Sequence, residues 1–285
     1  MSPRLEKPKK KISEIDDCLA KGIIVYSEQL EIAVTIAKEA GELIIRQFGK
    51  ARKSYKLDGS IVTEADIESD DLIKKVLTNE FPDHSVYSEE SEKIIRNSDH
   101  LWVVDPLDGT TNFSVKNPYF AVSIAYYFKD ILRIGVVFAP ILNEMFIAEE
   151  KAGATLNGSP VAVDTESSLE DAFISFENGR DPTSRRNMVR IYSKLKPINN
   201  KIRQVGAVSL DLCNVATGRY GAFIMPGSNI WDIAAGRLVV EEAGGIVTDF
   251  KNQTLTDKSS SILAASPSIH ERLCEIISSY NGNNK

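Results

Sequence analysis

Cysteine is scarce. The 285-residue chain holds three, Cys18, Cys213 and Cys274, far apart and without a Cys-x-x-Cys pair. Neither a disulfide framework nor a thiolate zinc site is suggested, and an odd, sparse count fits a reducing compartment. Histidine is equally rare: His84, His100 and His270 share no metal-ligand spacing. Each reads as a surface residue in a turn or helix. No run of about 18 apolar residues occurs, so no membrane-spanning helix is expected. The charged N-terminus lacks the apolar stretch of a secretory signal, and the cytoplasm is the expected location. Excess positive charge is missing too. Lys and Arg number 34 against 40 Asp and Glu, a net charge of −6, which argues against a nucleic-acid-binding surface. The densest basic run, Glu6 to Lys11, reads as a solvated tail. There is no Walker loop, no GxGxxG after a strand, no HExxH and no GxSxG elbow.

What is present is ordinary for a globular chain: 42% hydrophobic and 26% charged residues. That is enough apolar matter for a sizeable core without cross-links. Residues 1–26 read as an N-terminal leader. Ser27 resembles an N-cap, and Leu30, Ala33, Ile36, Ala37, Ala40, Leu43 and Ile44 recur at helical spacing behind it. Asp58-Gly59 marks a turn, and a second helix begins near Glu64 with a stripe of Leu72, Ile73, Val76 and Leu77. From residue 120 to 149 the pattern predicts strands: FAVSIAYYF, a turn at Lys129-Asp130, LRIGVVFAP, then NEMFIAE. Asn157-Gly158 signals another tight turn. The first half, 27–165, reads as an antiparallel meander with helices. The second half, 166–285, alternates strand and helix: DAFISF, PTSRRNMVRIYSKL, KIRQVG, SLDLCNVATG, GAFIMP, WDIAAGRLVVEEAGG, IVTDF and SPSIHERLCEIISSY.

The segment Trp102 to Phe113, WVVDPLDGTTNF, carries the chemistry. Val103-Val104 reads as the end of a buried strand. Pro106 is expected to start a turn bracketed by Asp105 and Asp108. Gly109 allows a tight entry into a helix whose first amides, from Gly109 to Thr111, would attract an anion. Two adjacent carboxylates repel, and a divalent cation relieves that repulsion. Oxygen ligands with no nearby His or Cys favour Mg2+, Mn2+ or Ca2+ over zinc. By themselves, the two aspartates also fit the plainer roles of turn and helix caps.

WVVDPLDGTTNF resembles the signature of the inositol monophosphatase family of Mg2+-dependent, lithium-sensitive phosphatases. IWDIAAGRLVVEEAGG (230–245), SIVTEAD (60–66) and YSEES (87–91) resemble its other motifs, in the family's order. The resemblance implies an α+β or α/β fold, a layered αβαβα sandwich. It also implies two or three Mg2+ ions per site, with Mn2+ an alternative, and a homodimer. One ion would be held by Glu89, Asp105 and the carbonyl of Leu107, another by Asp105, Asp108 and Asp232. Thr110 and Asp66 would activate the attacking water. Gly109 and Thr110 would hold the phosphate through their amides, with no covalent enzyme intermediate. From the residues alone, Thr63-x-x-Asp66 is also a capping box with Asp in the acid position, and Asp232 suits a helix start.

The substrate side departs from the pattern. RQVGAVSLDLC (203–213) resembles the segment lining the family's inositol or sugar pocket, placing Gly206, Ala207 and Val208 there. Met225 stands where animal members carry a Glu that contacts inositol hydroxyls, and a thioether is a poor acceptor. Ser228 and Asn229 are candidates to replace it. The Thr-Thr-Asn-Phe ending favours inositol-1-phosphate. Fructose-1,6-bisphosphate, histidinol phosphate and phosphoadenosine phosphate are rivals, as is a metal-binding regulatory scaffold without activity.

Overall fold

The computed structural model describes residues 27–281 apart from 97, 180, 257 and 258. The expected leader, its basic run and Cys18 lie outside the described residues. Ser27 caps α1 (Glu28–Gln47), its side chain accepting from the Leu30 amide. The helical stripe is buried as its spacing requires: Leu30, Ala33, Ile36, Ala37, Ala40 and Ile44 are fully enclosed. A hairpin of β1 (Lys53–Tyr55) and β2 (Ile61–Thr63) follows, turning at Asp58-Gly59, and leads into α2 (Glu64–Glu80).

Seven strands form the first sheet in sequential order. They are β3 (Ser85–Ser88), β4 (His100–Asp108), β5 (Ala121–Phe128), β6 (Ile131–Ala139), β7 (Glu144–Glu149), β8 (Gly153–Leu156) and β9 (Ser159–Pro160). Only β3 and β4 run parallel; the rest are the expected meander. Lys129 and Asp130 both adopt left-handed backbone, φ 51° and 60°, the conformation of a two-residue hairpin turn. Between β4 and β5 comes the short α3 (Thr110–Ser114).

The second sheet has the order β11-β10-β12-β14-β13. Its strands are β10 (Ile174–Phe176), β11 (Ile202–Arg203), β12 (Ala222–Pro226), β13 (Ile246–Thr248) and β14 (Ser261–Ala265). The connecting helices are α4 (Pro182–Leu195), α5 (Val208–Ala216), α6 (Ile230–Glu242) and α7 (Pro267–Asn281). β14 is a strand that periodicity missed, and it lies inside the sheet, antiparallel to both neighbours.

Strand alternation builds the layers. Trp102, Val104, Ile124 and Tyr126 face one way, onto α1 and α2. Val103, Ala125 and Val137 face the other, onto α5 and α6. Phe223, Met225, Ile262 and Ala264 of the second sheet close the same core from beyond those helices. Ala222, Ile224, Leu263 and Ala265 turn outward to α4 and α7. The result is the αβαβα sandwich. Close approach at its centre depends on Gly135: a Cβ there would lie 2.5 Å from the Ala235 carbonyl oxygen of α6.

The histidines correct the surface expectation. His84 and His270 are buried, and His84 stacks between Phe81 and His100 with centroids 4.7 and 4.1 Å away. Trp102 Nε1 donates to His84 Nδ1 at 3.0 Å. These rings are satisfied packing groups. Among the described residues, no helix is long and apolar enough to cross a membrane.

Candidate active site

The Asp105–Asp108 segment differs from the expected turn. β4 stays extended through both aspartates, and its pairing jumps from Asp105↔Ser123 to Asp108↔Ala121. Three steps on β4 thus match two on β5, a β-bulge that absorbs Pro106, which has no amide for the ladder. Ser69 Oγ of α2 donates to the Pro106 carbonyl at 2.9 Å and fixes the bulge from beneath. Gly109 then takes φ 89°, where a Cβ would press on the Tyr119 carbonyl at 3.0 Å and on the Ala207 side chain at 3.1 Å.

Register brings Glu89 in. Parallel pairing sets Ser88 opposite Val104, and the Glu89 amide donates to the Val104 carbonyl, so Glu89 emerges beside Asp105. Asp232 arrives on the first turn of α6, where its Oδ2 accepts from the Asn229 amide at 3.2 Å in a capping box. Trp231 stacks edge-on against Tyr87, centroids 5.1 Å apart, pinning α6 to the end of β3. One carboxylate oxygen from each of Glu89, Asp105 and Asp232 lies within 4.8 Å of the other two. Burial, then the charges of Glu89, Asp108 and Asp232, push the Asp105 carboxyl well above the usual range.

Asp108 lines the same cavity but faces another partner as well. Its oxygens accept from the Val208 amide (3.1 Å), the Ser209 amide (2.7 Å) and Ser209 Oγ (2.5 Å). It therefore caps α5 from 100 residues away in sequence. Burial raises its carboxyl to about 6 despite those three bonds.

Asp66 and Thr110 meet as the resemblance implied. Thr110 Oγ1 is 2.7 Å from Asp66 Oδ1 and 3.0 Å from the Leu107 carbonyl. Asp66 Oδ2 accepts from the Thr63 amide at 2.8 Å and from Thr63 Oγ1 at 2.5 Å. The capping box thus fixes one oxygen and leaves the other for Thr110. Burial raises the Asp66 carboxyl against the opposing pull of those bonds.

Glu89, Asp105, Leu107, Asp108, Thr110 and Asp232 open onto a cavity of about 490 Å3, while Asp66 is buried behind Thr110. Gly109, Thr110, Gly206, Val208 and Met225 line it with the carboxylates. Ala207 is not among the lining residues: it is fully buried beneath Gly109. Ser228 and Asn229 are not lining residues either. Sequence reasoning missed Lys56, whose Nζ reaches Glu89 at 3.1 Å and Glu90 at 2.6 Å from the β1–β2 hairpin. Burial opposes the charged ammonium, but the two glutamates outweigh it and raise its pKa. Also missed were Glu177, Asn178, Arg185 and Gln204, which line the cavity from the second half. Apart from Gln204, which stands in the pocket segment 203–213, no local signal marks these residues, because each acquires its neighbours only through the tertiary fold.

The pattern of the inositol monophosphatase family matches residues 26–281. The chain belongs to that family. It is 33% identical over 252 residues to a fructose-1,6-bisphosphatase/inositol-1-monophosphatase of Thermotoga maritima, covering 88% of this chain and 96% of that protein. It is 40% identical over 232 residues to the Nus factor SuhB of Pseudomonas aeruginosa, 78% of this chain and 85% of that one. Among solved structures, the extragenic suppressor protein suhB of Bartonella henselae superposes with a TM-score of 0.84 at 34% identity, covering 88% of this chain and 98% of that one. Family membership supports a hydrolase of the phosphatase kind, and the αβαβα layering is the fold of these structures.

Proposed function

We propose that the protein hydrolyses a small phosphorylated polyol or sugar with Mg2+, inositol-1-phosphate before others. The carrying observation is the convergence of Glu89, Asp105 and Asp232 to within 4.8 Å beside the Asp66–Thr110 pair. The donor set fits magnesium: all oxygen, with charges that repel one another when nothing lies between them. Glu89, Asp105 and Asp232, with the Leu107 carbonyl and the remaining lone pair of Asp108, would hold two or three ions sharing Asp105; manganese would fit the same donors. When bound, magnesium supplies Lewis-acid activation of water and neutralisation of phosphate charge.

The protein's own groups do the rest. Thr110 Oγ1 gives its proton toward Asp66 Oδ1, so its lone pairs are free to accept a proton from a water in the cavity. Asp66, anchored through Oδ2, receives the relayed proton at Oδ1. The N-terminal ends of α5 and α6 reach the cavity wall at Val208 and Asp232 and favour negative charge there. A second reading, hydrolysis of a sugar bisphosphate, is favoured by Arg185, a permanent cation in the cavity wall that would meet a second phosphate.

The test is phosphate release from inositol-1-phosphate, fructose-1,6-bisphosphate, histidinol phosphate and phosphoadenosine phosphate. Release with Mg2+, fastest from inositol-1-phosphate, blocked by EDTA and inhibited by Li+, is expected. Fructose-1,6-bisphosphate as the best substrate would establish the second reading. No release from any of the four with Mg2+ or Mn2+ would sink both and leave a regulatory scaffold. We further propose a homodimer, for which light scattering should give twice the chain mass.

A further inference from the structure

Met225 leaves the cavity without the acid that the sequence comparison placed at that position, yet a polyol needs groups to bond its hydroxyls. Three polar side chains stand beside Met225, the Glu177 amide donating to the Ile224 carbonyl one residue before it. Glu177 and Asn178 follow β10 directly, and Gln204 follows β11. Parallel pairing of β10 with β11 brings these strand ends together. Gln204 Nε2 donates to Glu177 Oε2 at 2.9 Å, and Asn178 Nδ2 donates to Gln204 Oε1 at 2.9 Å. All three line the cavity that holds the carboxylate cluster. Gln204 is exposed to solvent, and Glu177 and Asn178 are half-buried.

We infer that the Asn178–Gln204–Glu177 chain is the hydroxyl-recognition surface of this enzyme and decides its substrate preference. The inference rests on the reading of the cavity as a polyol- or sugar-phosphate site. Its chemistry is that of diol binding. Each amide keeps a second N–H after its bond within the chain, and the carboxylate keeps lone pairs, so adjacent donors and acceptors are presented at fixed spacing. The internal bonds hold the amides in one orientation, so a bound sugar orders few of its partners. A carboxylate accepting from Gln204 also polarises that amide and strengthens its remaining N–H as a donor. Met225, on β12, adds apolar surface that suits the C–H face of a ring.

The test compares inositol-1-phosphate and fructose-1,6-bisphosphate with p-nitrophenyl phosphate, whose leaving group has no hydroxyls to recognise. Gln204→Ala should lower kcat/KM for the better polyol or sugar substrate about tenfold more than for p-nitrophenyl phosphate, with the difference carried by KM. Glu177→Gln, which keeps the shape and removes the charge, should shift the ratio in the same direction by less. Thermal melting establishes that each variant is folded. Proportional losses on all substrates, or losses confined to kcat, would overturn the assignment while leaving the phosphatase reading intact. Wild-type enzyme that hydrolyses p-nitrophenyl phosphate but no polyol or sugar phosphate would instead overturn the substrate reading, and this inference with it.

Discussion

Asp105 is the residue on which the site's electrostatics turn. It is 2% exposed, accepts from the Leu107 amide at 3.0 Å, and faces the charges of Glu89, Asp108 and Asp232. Asp105→Asn keeps the shape and removes one like charge. Turnover should fall by at least about a hundredfold, since even outer-shell changes at metal sites cost 10- to 100-fold. In EDTA, the same variant should melt higher than wild type, because burial and repulsion disfavour the ionised carboxyl. Wild-type activity in Asp105→Asn would refute the assignment. The same imbalance sets a pH dependence. Burial pushes Asp108 to about 6 and Glu90 to about 7, above the ordinary carboxylate range. A group with a raised folded pKa contributes stability that is present in acid and lost as pH rises through that value. Without divalent ions, the melting temperature should therefore drop between about pH 4 and pH 7, from the ordinary carboxylate values up to these raised ones, and magnesium should flatten that slope. His84 acts in the opposite sense. Burial, then His100, lowers its pKa to about 4, so its contribution is lost as pH falls below the ordinary imidazole range.

Elements, rather than single side chains, decide where these residues stand. Asp232 is on α6, and α6 can lie on the sheet only because position 135 has no side chain. Gly135→Ala would drive a methyl group to 2.5 Å from a backbone oxygen that cannot step aside. It should cost about 1–3 kcal/mol, read by urea unfolding, and lower magnesium affinity by displacing Asp232. A variant as stable and as active as wild type would show that α6 is not held there. At this scale, the sequence was legible where periodicity or turn chemistry was strong. The α1 stripe, the Lys129-Asp130 and Asn157-Gly158 turns and the α4 span from Pro182 to Leu195 all follow it. It was least legible where neither applied. β14 is five small or apolar residues with no alternation, since both of its faces are buried. The Pro106 bulge read as a turn because proline breaks both, and only pairing with β5 distinguishes them. Lys56 carried no signal at all, and Gln204 only its place in the pocket segment 203–213, since each gains its role from partners more than 25 residues away in sequence.

For the molecule as a whole, the ligands of the proposed ions come from β3, β4 and α6, so an ion bound among them clamps both halves. Magnesium at 100 times its dissociation constant should stabilise the fold by about 2.7 kcal/mol. Asp232→Asn should abolish most of the resulting rise in melting temperature. An identical magnesium response in that variant would place the ion elsewhere. The bond from Asp108 to the head of α5 has its own implication. Prising the two sheets apart would strand a carboxylate and two backbone amides in an apolar seam. The floor of the cleft therefore behaves as a fixed anvil, and whatever give the enzyme needs to admit and discharge its cargo must come from the rim.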